Sequence, residues 1–116
     1  MAQTITEAQT ERSTMKPPEK FTRIVGRKKY SVQTATLIAS DAYWDGHNFE
    51  RHGRNTFLYR TPKGAYFTVT LTQWQGEQDH LSPITQDEAI QLYETSLTEH
   101  ELPYTEAFPG VNVEDA

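Results

Sequence analysis

The stretch NTFLYRTPKGAYFTVTLTQW, residues 55–74, constrains the fold more than any other part of the chain. Two runs rich in β-branched and aromatic residues flank the tetrapeptide Thr61-Pro62-Lys63-Gly64. Proline presets φ at the second position of a turn, and glycine takes the positive φ that closes a type I turn with a bulge. The sequence therefore predicts a β-hairpin here, with an antiparallel sheet built around it.

The second strand of this hairpin has two different faces. Aromatic and aliphatic side chains alternate with hydroxyl-bearing ones: Phe67, Val69 and Leu71 form one set, and Thr68, Thr70 and Thr72, bracketed by Tyr66 and Trp74, form the other. Successive strand residues point to opposite sides, so the first set is expected to pack on a core. The threonine face is either an interaction surface or a solvated strand face, for which threonine is well suited.

Extended segments are also predicted before the hairpin. Two short extended pieces are expected around Gly26, followed by a helical turn at Ser31–Thr34 and a strand from about Thr34 to Ala42. β-branched residues are dense in this last run, and serine and threonine make local hydrogen bonds in turns.

A helix is predicted after the hairpin, in ITQDEAIQLYETSL. Thr85 and Glu88 have the spacing of a capping box, which satisfies the first free backbone donors of a helix. Ile90, Tyr93 and Leu97 then share one face, and acidic and amide side chains share the opposite one. The helical pattern breaks at Pro103, and the apolar residues on either side of it, Leu102, Tyr104 and Phe108, indicate a segment laid back over the domain.

The predicted fold class is α+β: a small antiparallel sheet of three or so strands with a central β-hairpin, and one C-terminal helix packed on a face. The 116 residues fit one small domain. Residues 1–20 are expected to be a disordered N-terminal tail, 21–109 the single domain, and 110–116 a loose acidic C-terminus.

The composition favours a soluble cytoplasmic protein. The chain has no cysteine, which excludes disulfides and thiolate metal sites within it and is typical of a reducing compartment. We find no continuous apolar run typical of a signal peptide or a membrane span. No motif points to a cofactor, so we predict none, and we predict no membrane partner.

Charge is distributed very unevenly along the chain. All eleven Lys and Arg lie in residues 1–63, against six acidic residues there, which leaves that half at +5; residues 64–116 have ten acidic residues and no Lys or Arg, which leaves −10. This pattern is compatible with an acidic surface for a basic partner, with a basic patch for phosphate, or with halves that neutralise each other in the folded protein.

Three motifs resemble a widespread group of small bacterial, phage and mobile-element proteins: GRKKYSVQTATLIA, TFLYRTPKGAYF and SPITQDEAIQLYE. The matching residues are Tyr30, Thr34, Ala35, Leu58, Tyr59, Thr61, Gly64, Tyr66, Phe67, Pro83, Thr85, Glu88 and Ala89. The resemblance covers about residues 26–95 and implies a small antiparallel sheet followed by a helix. None of its motifs is catalytic, and the connection 43–55 and the acidic tail after Leu97 lie outside the shared pattern.

The connection DAYWDGHNFERHGRN, residues 41–55, is rich in residues that bind metals or anchor interfaces. Asp45, His47, Glu50 and His52 are possible metal ligands, but their spacing fits no known metal motif. A hairpin-plus-helix nuclease would use His47 as the base, with helix carboxylates from Asp87, Glu88 or Glu94 near a metal. The acidic second half disfavours such a nuclease, because it would repel substrate phosphates. We therefore predict no metal and no catalytic residue.

The same connection supplies candidate interface anchors: Tyr43, Trp44 and Phe49, framed by Arg51 and Arg54. Aromatic residues and arginine are enriched where binding energy concentrates. The alternative is that Trp44 and Phe49 cap one end of a small core.

The sequence therefore predicts a non-enzymatic binding protein with a protein partner, acting as an interaction module or as an inhibitor carried by a mobile element, with a role against host defence as one possibility. Its acidic face would comprise Asp87, Glu94, Glu99 and Glu101. The alternative is a nucleic-acid-binding accessory protein with phosphate contacts from Arg23, Arg27, Lys28 and Lys29. A homodimer through an exposed edge of the hairpin is also compatible with the sequence.

Overall fold

The computed structural model describes residues 17–41, 54–72, 76 and 78–116, with Arg54 described by its backbone alone. In this part of the chain it places seven strands and two helices. They are β1 (Thr22–Val25), β2 (Lys28–Ser31), β3 (Thr36–Ser40), β4 (Arg54–Arg60), β5 (Tyr66–Thr72), β6 (His80–Ile84), α1 (Gln86–Thr95), β7 (Glu99–His100) and α2 (Tyr104–Ala107).

Five strands form one antiparallel sheet in the order β6-β5-β4-β3-β7, and β1 and β2 form a separate two-stranded antiparallel sheet. The α+β class is therefore confirmed. The two short extended pieces expected around Gly26 are present as β1 and β2. The expectation of three or so strands and one helix was still too small, because β6 and β7 are only five and two residues long and give little pattern to read. None of the helices in the described residues is long and apolar enough to cross a membrane.

The predicted hairpin is confirmed as β4–β5, and it forms the centre of the five-stranded sheet. In its turn the Gly64 N–H donates to the Thr61 carbonyl oxygen (2.9 Å), and the Thr61 N–H donates to the Ala65 carbonyl oxygen (2.8 Å). Gly64 has a φ of 91°. Only glycine takes such a φ without strain, which is why this tetrapeptide fixes the register of both strands.

The five-stranded sheet is covered on both faces, so the molecule has three layers. On one face the cluster of Phe57, Phe67, Val69 and Leu81 packs against Tyr30 of β2 and Val32 beyond it. The opposite face carries a second cluster in which Ile38, Leu58 and Tyr66 of the sheet pack against Tyr93, Leu97 and Phe108 of the C-terminal part. Both clusters are deeply buried, because each outer layer has its own apolar side.

The predicted core face of β5 is confirmed, since Phe67 and Val69 are fully buried. Its threonine face is the one on which α1 packs: Tyr66 is buried there, Thr68 is 9% exposed, and Thr70 and Thr72 are half-buried. Thr68 is therefore buried with Tyr66 on the covered part of that face, and Thr70 and Thr72 are partly open to solvent. Trp74 lies outside the described residues.

β3 contains an irregularity that affects what it packs against. Its register against β4 shifts between Leu37 and Ala39, so that the successive residues Ile38 and Ala39 both join the cluster under α1. A bulge does this by adding one residue to one strand of a pair. The helical turn predicted before β3 is present, since the Ala35 N–H donates to the Ser31 carbonyl oxygen (3.1 Å).

The predicted helix is confirmed as α1, including its capping box. The Glu88 N–H donates to Thr85 Oγ1 (3.1 Å) and the Thr85 N–H donates to Glu88 Oε1 (2.9 Å). Tyr93 is buried on the face towards the sheet, whereas Asp87 and Glu94 are exposed on the other side, as the spacing predicts.

Removing this cap is expected to destabilise the protein modestly. Thr85→Ala deletes the side-chain acceptor for the Glu88 N–H, a change that costs about 1 kcal/mol at helix N-termini. Urea denaturation should show this loss with an unchanged m-value. Thr95→Ala is the matched control: its hydroxyl donates to the Gln91 carbonyl oxygen (2.7 Å) and lies 3.4 Å from Ser96 Oγ, and both contacts are at the exposed C-terminal end of the helix. A loss as large as that of Thr85→Ala would contradict the assignment.

The segment after Pro103 folds back as predicted. α2 is a single turn, and Phe108 behind it is fully buried with its ring centroid 5.5 Å from that of Tyr66 and 5.4 Å from that of Tyr93. The Tyr66 hydroxyl donates to the Ala107 carbonyl oxygen (3.1 Å). At the other end of the described chain, Pro17 is buried. Residues 1–16 of the predicted tail lie outside the described residues.

Tyrosine side chains with raised pKa values are expected to lower the stability of the fold at alkaline pH. Burial raises the pKa of the Tyr59 phenol, and it raises the pKa values of Tyr93 and Tyr104 as well. Tyrosines of an unfolded chain ionise near pH 10, so above about this pH the unfolded state holds fewer protons than the folded state. The free energy of unfolding should therefore be unaffected by these groups below about pH 9 and should fall above about pH 10. Urea titrations across this range test it, and a stability that stays level to about pH 11 would refute it.

Candidate functional site

The strands β1 and β2 and their connecting turn form a positively charged element, which we call the basic ribbon (residues 20–31). All five cations of this stretch are exposed: Lys20, Arg23, Arg27, Lys28 and Lys29. The ribbon itself has no acidic residue, and Glu19 immediately precedes it. The four cations predicted as phosphate contacts are therefore brought together on one element of the fold.

The tip of the ribbon is a two-residue turn. Gly26 has a φ of 59° and Arg27 a φ of 66°, which is the positive pair that a type I′ turn requires. Arg27 holds this conformation with a side chain, at a cost of about 1–2 kcal/mol relative to ordinary backbone. A Cβ added at Gly26 would meet nothing within 4 Å, so the turn is open to solvent at this residue.

The base of the ribbon is fixed to the sheet by apolar and polar contacts. Tyr30 is 8% exposed and meets Phe67 edge to face, with ring centroids 5.8 Å apart. Arg23 Nη1 donates to the Leu81 carbonyl oxygen of β6 (2.7 Å). Arg23 thus also has a structural role that sequence reasoning missed, because nothing local in the sequence places Arg23 beside Leu81.

The second charged surface comprises residues 85–116, with α1, β7 and α2, and we call it the acidic layer. It carries eight acidic residues and no Lys or Arg, and all eight are exposed: Asp87, Glu88, Glu94, Glu99, Glu101, Glu106, Glu114 and Asp115. The four predicted members of the acidic face, Asp87, Glu94, Glu99 and Glu101, all belong to this layer.

Two of these carboxylates also have structural contacts. Glu88 completes the capping box, and Glu94 Oε2 accepts a hydrogen bond from the Tyr104 hydroxyl (2.9 Å). Burial, with the nearby Glu94 carboxylate adding to it, raises the pKa of the Tyr104 phenol. Asp87, Glu99 and Glu101 have no such hydrogen bond among the described residues, so they can be replaced with little effect on the fold.

β7 positions Glu99 and Glu101, and its two residues gave no strand signal in the sequence. It pairs with β3, and the Glu101 N–H donates to the Ile38 carbonyl oxygen (2.7 Å). The His100 ring stacks on Tyr93, with centroids 3.7 Å apart, and its Nε2 lies 2.9 Å from the Tyr93 carbonyl oxygen. The backbone that carries Glu99 and Glu101 is therefore held by β3 on one side and by Tyr93 of α1 on the other.

A shallow groove runs along the acidic layer beside β6. Its volume is about 280 Å³, and it is lined by Ile84, Glu88, Gln91, Leu92, Thr95 and Ser96. Ile84 and Leu92 are half-buried. The apolar residues of the groove fit the aliphatic stem of a lysine or arginine side chain, and its polar and acidic residues fit the charged end of that side chain.

The basic ribbon and the acidic layer lie on opposite faces of the five-stranded sheet, because Tyr30 packs on the Phe67 face and Tyr93 on the Tyr66 face. Adjacent strand residues point to opposite sides. Within the described residues, the basic ribbon and the acidic layer therefore do not neutralise each other by contact, and each faces solvent as a separate surface.

The edges of the large sheet are protected. β6 has Pro83, which offers no N–H, and its Leu81 carbonyl oxygen already accepts from Arg23. β7, at the opposite edge, is only two residues long. The β4–β5 hairpin lies in the middle of the sheet, so the expectation that it offers an exposed edge for a second copy was wrong.

The predicted aromatic anchors lie outside the described residues: Tyr43, Trp44, Phe49 and Arg51, together with the side chain of Arg54. So do Asp45, His47, Glu50 and His52, and the metal hypothesis for that connection stays untested. Within the described residues, no group of three or more His, Asp or Glu side chains is arranged to hold a metal ion. Asp41 fixes the end of β3 next to the connection, since its Oδ1 accepts from the Thr56 N–H (2.9 Å).

Comparison with known protein families, with curated proteins and with solved structures found no match for this chain.

Proposed function

We propose that this protein acts by binding and not by catalysis, and that its acidic layer docks on a basic surface of another protein. The observation that carries the proposal is the single sign of the layer: eight exposed carboxylates with no Lys or Arg among them. A surface of one sign raises the association rate with an oppositely charged partner and disfavours other partners.

The layer also has the rigidity that specific docking needs. Capping of α1, pairing of β7 with β3 and burial of Phe108 hold its backbone in place. An ordered surface loses little conformational entropy when it binds. The groove with Ile84 and Leu92 adds an apolar contact near the carboxylates, and interfaces concentrate their binding energy at such partly buried points.

The resemblance to mobile-element and phage proteins supports a more specific role, that of an inhibitor. Exposed carboxylates on an ordered surface present negative charge as nucleic-acid phosphates do, so the acidic layer would occupy the basic site of a host nucleic-acid-binding protein. Tyr43, Trp44 and Phe49, which lie outside the described residues, would be the candidate aromatic anchors for such a partner.

The proposal is tested by comparing two triple variants in a pull-down from host lysate treated with nuclease. Asp87→Asn/Glu99→Gln/Glu101→Gln removes three carboxylates from the acidic layer without touching the cap or the Tyr104 contact. The matched control, Arg27→Gln/Lys28→Gln/Lys29→Gln, removes three charges from the basic ribbon. A defined protein should be captured by the wild type and by the ribbon variant, and lost with the acidic-layer variant.

Salt dependence gives a second readout on the purified partner. Binding through the acidic layer should weaken steeply between about 50 and 300 mM salt, because screening shortens the range of charge interactions to about 6–14 Å. A partner that binds both triple variants equally, or whose affinity does not change with salt, would exclude the acidic layer as the docking surface.

A further inference from the structure

The tip of the basic ribbon carries charge on every side. Lys28 pairs with Val25 and therefore points to the same side of the ribbon as that half-buried valine, towards the sheet. Lys29 pairs with Ile24 and points the opposite way. Arg27 extends from the turn between them. Since successive strand residues alternate, the three cations surround the tip and do not form a flat patch.

This geometry fits a ligand with negative charge on two sides. The major groove of B-form DNA is about 12 Å wide, admits a two-stranded β-ribbon and is bordered by phosphates on both walls. A flat acidic protein surface, in contrast, would meet only one side of the tip. We infer that the basic ribbon enters the groove of double-stranded DNA, with Arg27, Lys28 and Lys29 contacting phosphates.

The outer face of the ribbon adds an apolar contact to the charges. Ile24 is 69% exposed, lies directly opposite Lys29 and is one of the two large apolar side chains most exposed in the described chain. Apolar side chains in the groove pack against sugars and thymine methyl groups. Ile24 is not buried in the core, and a contact in the DNA groove would account for its exposed position.

The net charge of −5 does not oppose this binding. The ribbon and the acidic layer are separated by the five-stranded sheet, and two packed layers correspond to roughly 20 Å. This is about twice the distance over which charges are screened at 0.1 M salt. The DNA near the ribbon therefore responds to the local cations. The inference is independent of the protein partner proposed for the acidic layer.

The test is fluorescence anisotropy of a labelled 20-base-pair duplex, titrated with the purified full chain at several salt concentrations. Three phosphate contacts predict a slope of log K against log salt of about −2.7, so binding should be roughly twentyfold tighter at 50 than at 150 mM. The affinity at physiological salt is expected in the ordinary non-specific range, with a Kd of roughly 10⁻⁴ to 10⁻⁶ M. A single-stranded oligonucleotide of the same length should bind more weakly.

Two single substitutions form a matched pair. Lys29→Gln and Lys63→Gln each remove one exposed lysine charge, but Lys63 lies in the β4–β5 turn and outside the ribbon. Lys29→Gln should lower the salt slope by about one and weaken binding several-fold, whereas Lys63→Gln should leave both unchanged. The triple variant Arg27→Gln/Lys28→Gln/Lys29→Gln should lose at least tenfold in affinity while its melting temperature stays near that of the wild type.

Several results would overturn the inference: no duplex binding at 50 mM salt, equal effects of Lys29→Gln and Lys63→Gln, or equal affinity for the single strand. Sedimentation velocity of the protein alone provides the remaining outcome. The result to exclude is an average mass that rises with protein concentration in the wild type and stays at the monomer mass in either triple variant. That result would show that the ribbon binds the acidic layer of a second copy, and it would exclude DNA as the ligand of the ribbon.

Discussion

Phe108→Ala should destabilise the protein by about 3–5 kcal/mol, a large part of the total stability of a domain of this size. Phe108 is fully buried and meets the rings of Tyr66, Tyr93 and Tyr104 at centroid distances of 5.3–5.5 Å. Alanine leaves a cavity that these rings cannot close, so we expect the melting temperature to fall by about 12 °C or more.

The same substitution should also loosen the packing of the acidic layer against the sheet. Phe108 is the largest buried side chain with which the chain after Pro103 packs against the sheet. Backbone amides of residues 99–108 should therefore lose protection from hydrogen exchange before those of β4 and β5. Val113→Ala is the control, because Val113 is 69% exposed and its truncation should change stability by less than about 0.5 kcal/mol. If Phe108→Ala does not fold, Phe108→Leu keeps most of the side-chain volume. In that variant too, amides of residues 99–108 should lose their protection from exchange before those of β4 and β5. Uniform protection in both variants would contradict this role.

Phe67→Ala is the other large effect, again about 3–5 kcal/mol, and it should act on the opposite face. Phe67 is fully buried in β5, stacks on Tyr59 at 5.2 Å with the planes 7° apart, and meets Tyr30 in a T-shaped arrangement. Removing its ring takes away the surface on which the ribbon rests. Chemical denaturation measures the loss, and exchange of the β1 and β2 amides reports the loosened ribbon.

Ile24→Ala separates the ribbon's packing from its exposed side. Ile24 lies on the same ribbon but points away from the sheet, so its truncation should leave stability within about 0.5 kcal/mol of the wild type. A Phe67→Leu variant, which retains a large apolar side chain, should recover more than half of the stability lost with alanine. Comparable losses for Ile24→Ala and Phe67→Ala would show that the ribbon is not held by the core as described.

The sequence predicted the elements whose signals are local. The β4–β5 turn needs four residues, and the α1 cap needs the spacing of Thr85 and Glu88; both are present as predicted. The spacing of Tyr93 and Leu97 likewise identified the side on which α1 and the residues just after it pack against the sheet. Each of these features depends on residues that are only a few positions apart in the chain. Interactions over such a short range can be recognised in a single sequence.

What the sequence did not predict depends on distant contacts. β7 has two residues and is a strand only because β3 lies beside it, and Arg23 reaches a carbonyl oxygen 58 positions away in the chain. The bulge at Ile38, which turns two successive residues to one side, has no sequence signal either, because Ile38 and Ala39 suit any buried strand. The candidate surfaces were predicted as residue sets, but their separation by a sheet required the topology.

The central sheet makes the two outer surfaces independent of each other. No side chain of the ribbon shares a core cluster with the acidic layer, since one packs with Phe67 and the other with Tyr66. Substitutions on the two sides should therefore combine additively in their effects on stability, within about 0.3–0.5 kcal/mol. Over evolutionary time, the exposed residues of one outer surface can therefore change without disturbing the packing of the other, because the strands between them form a separate core with each.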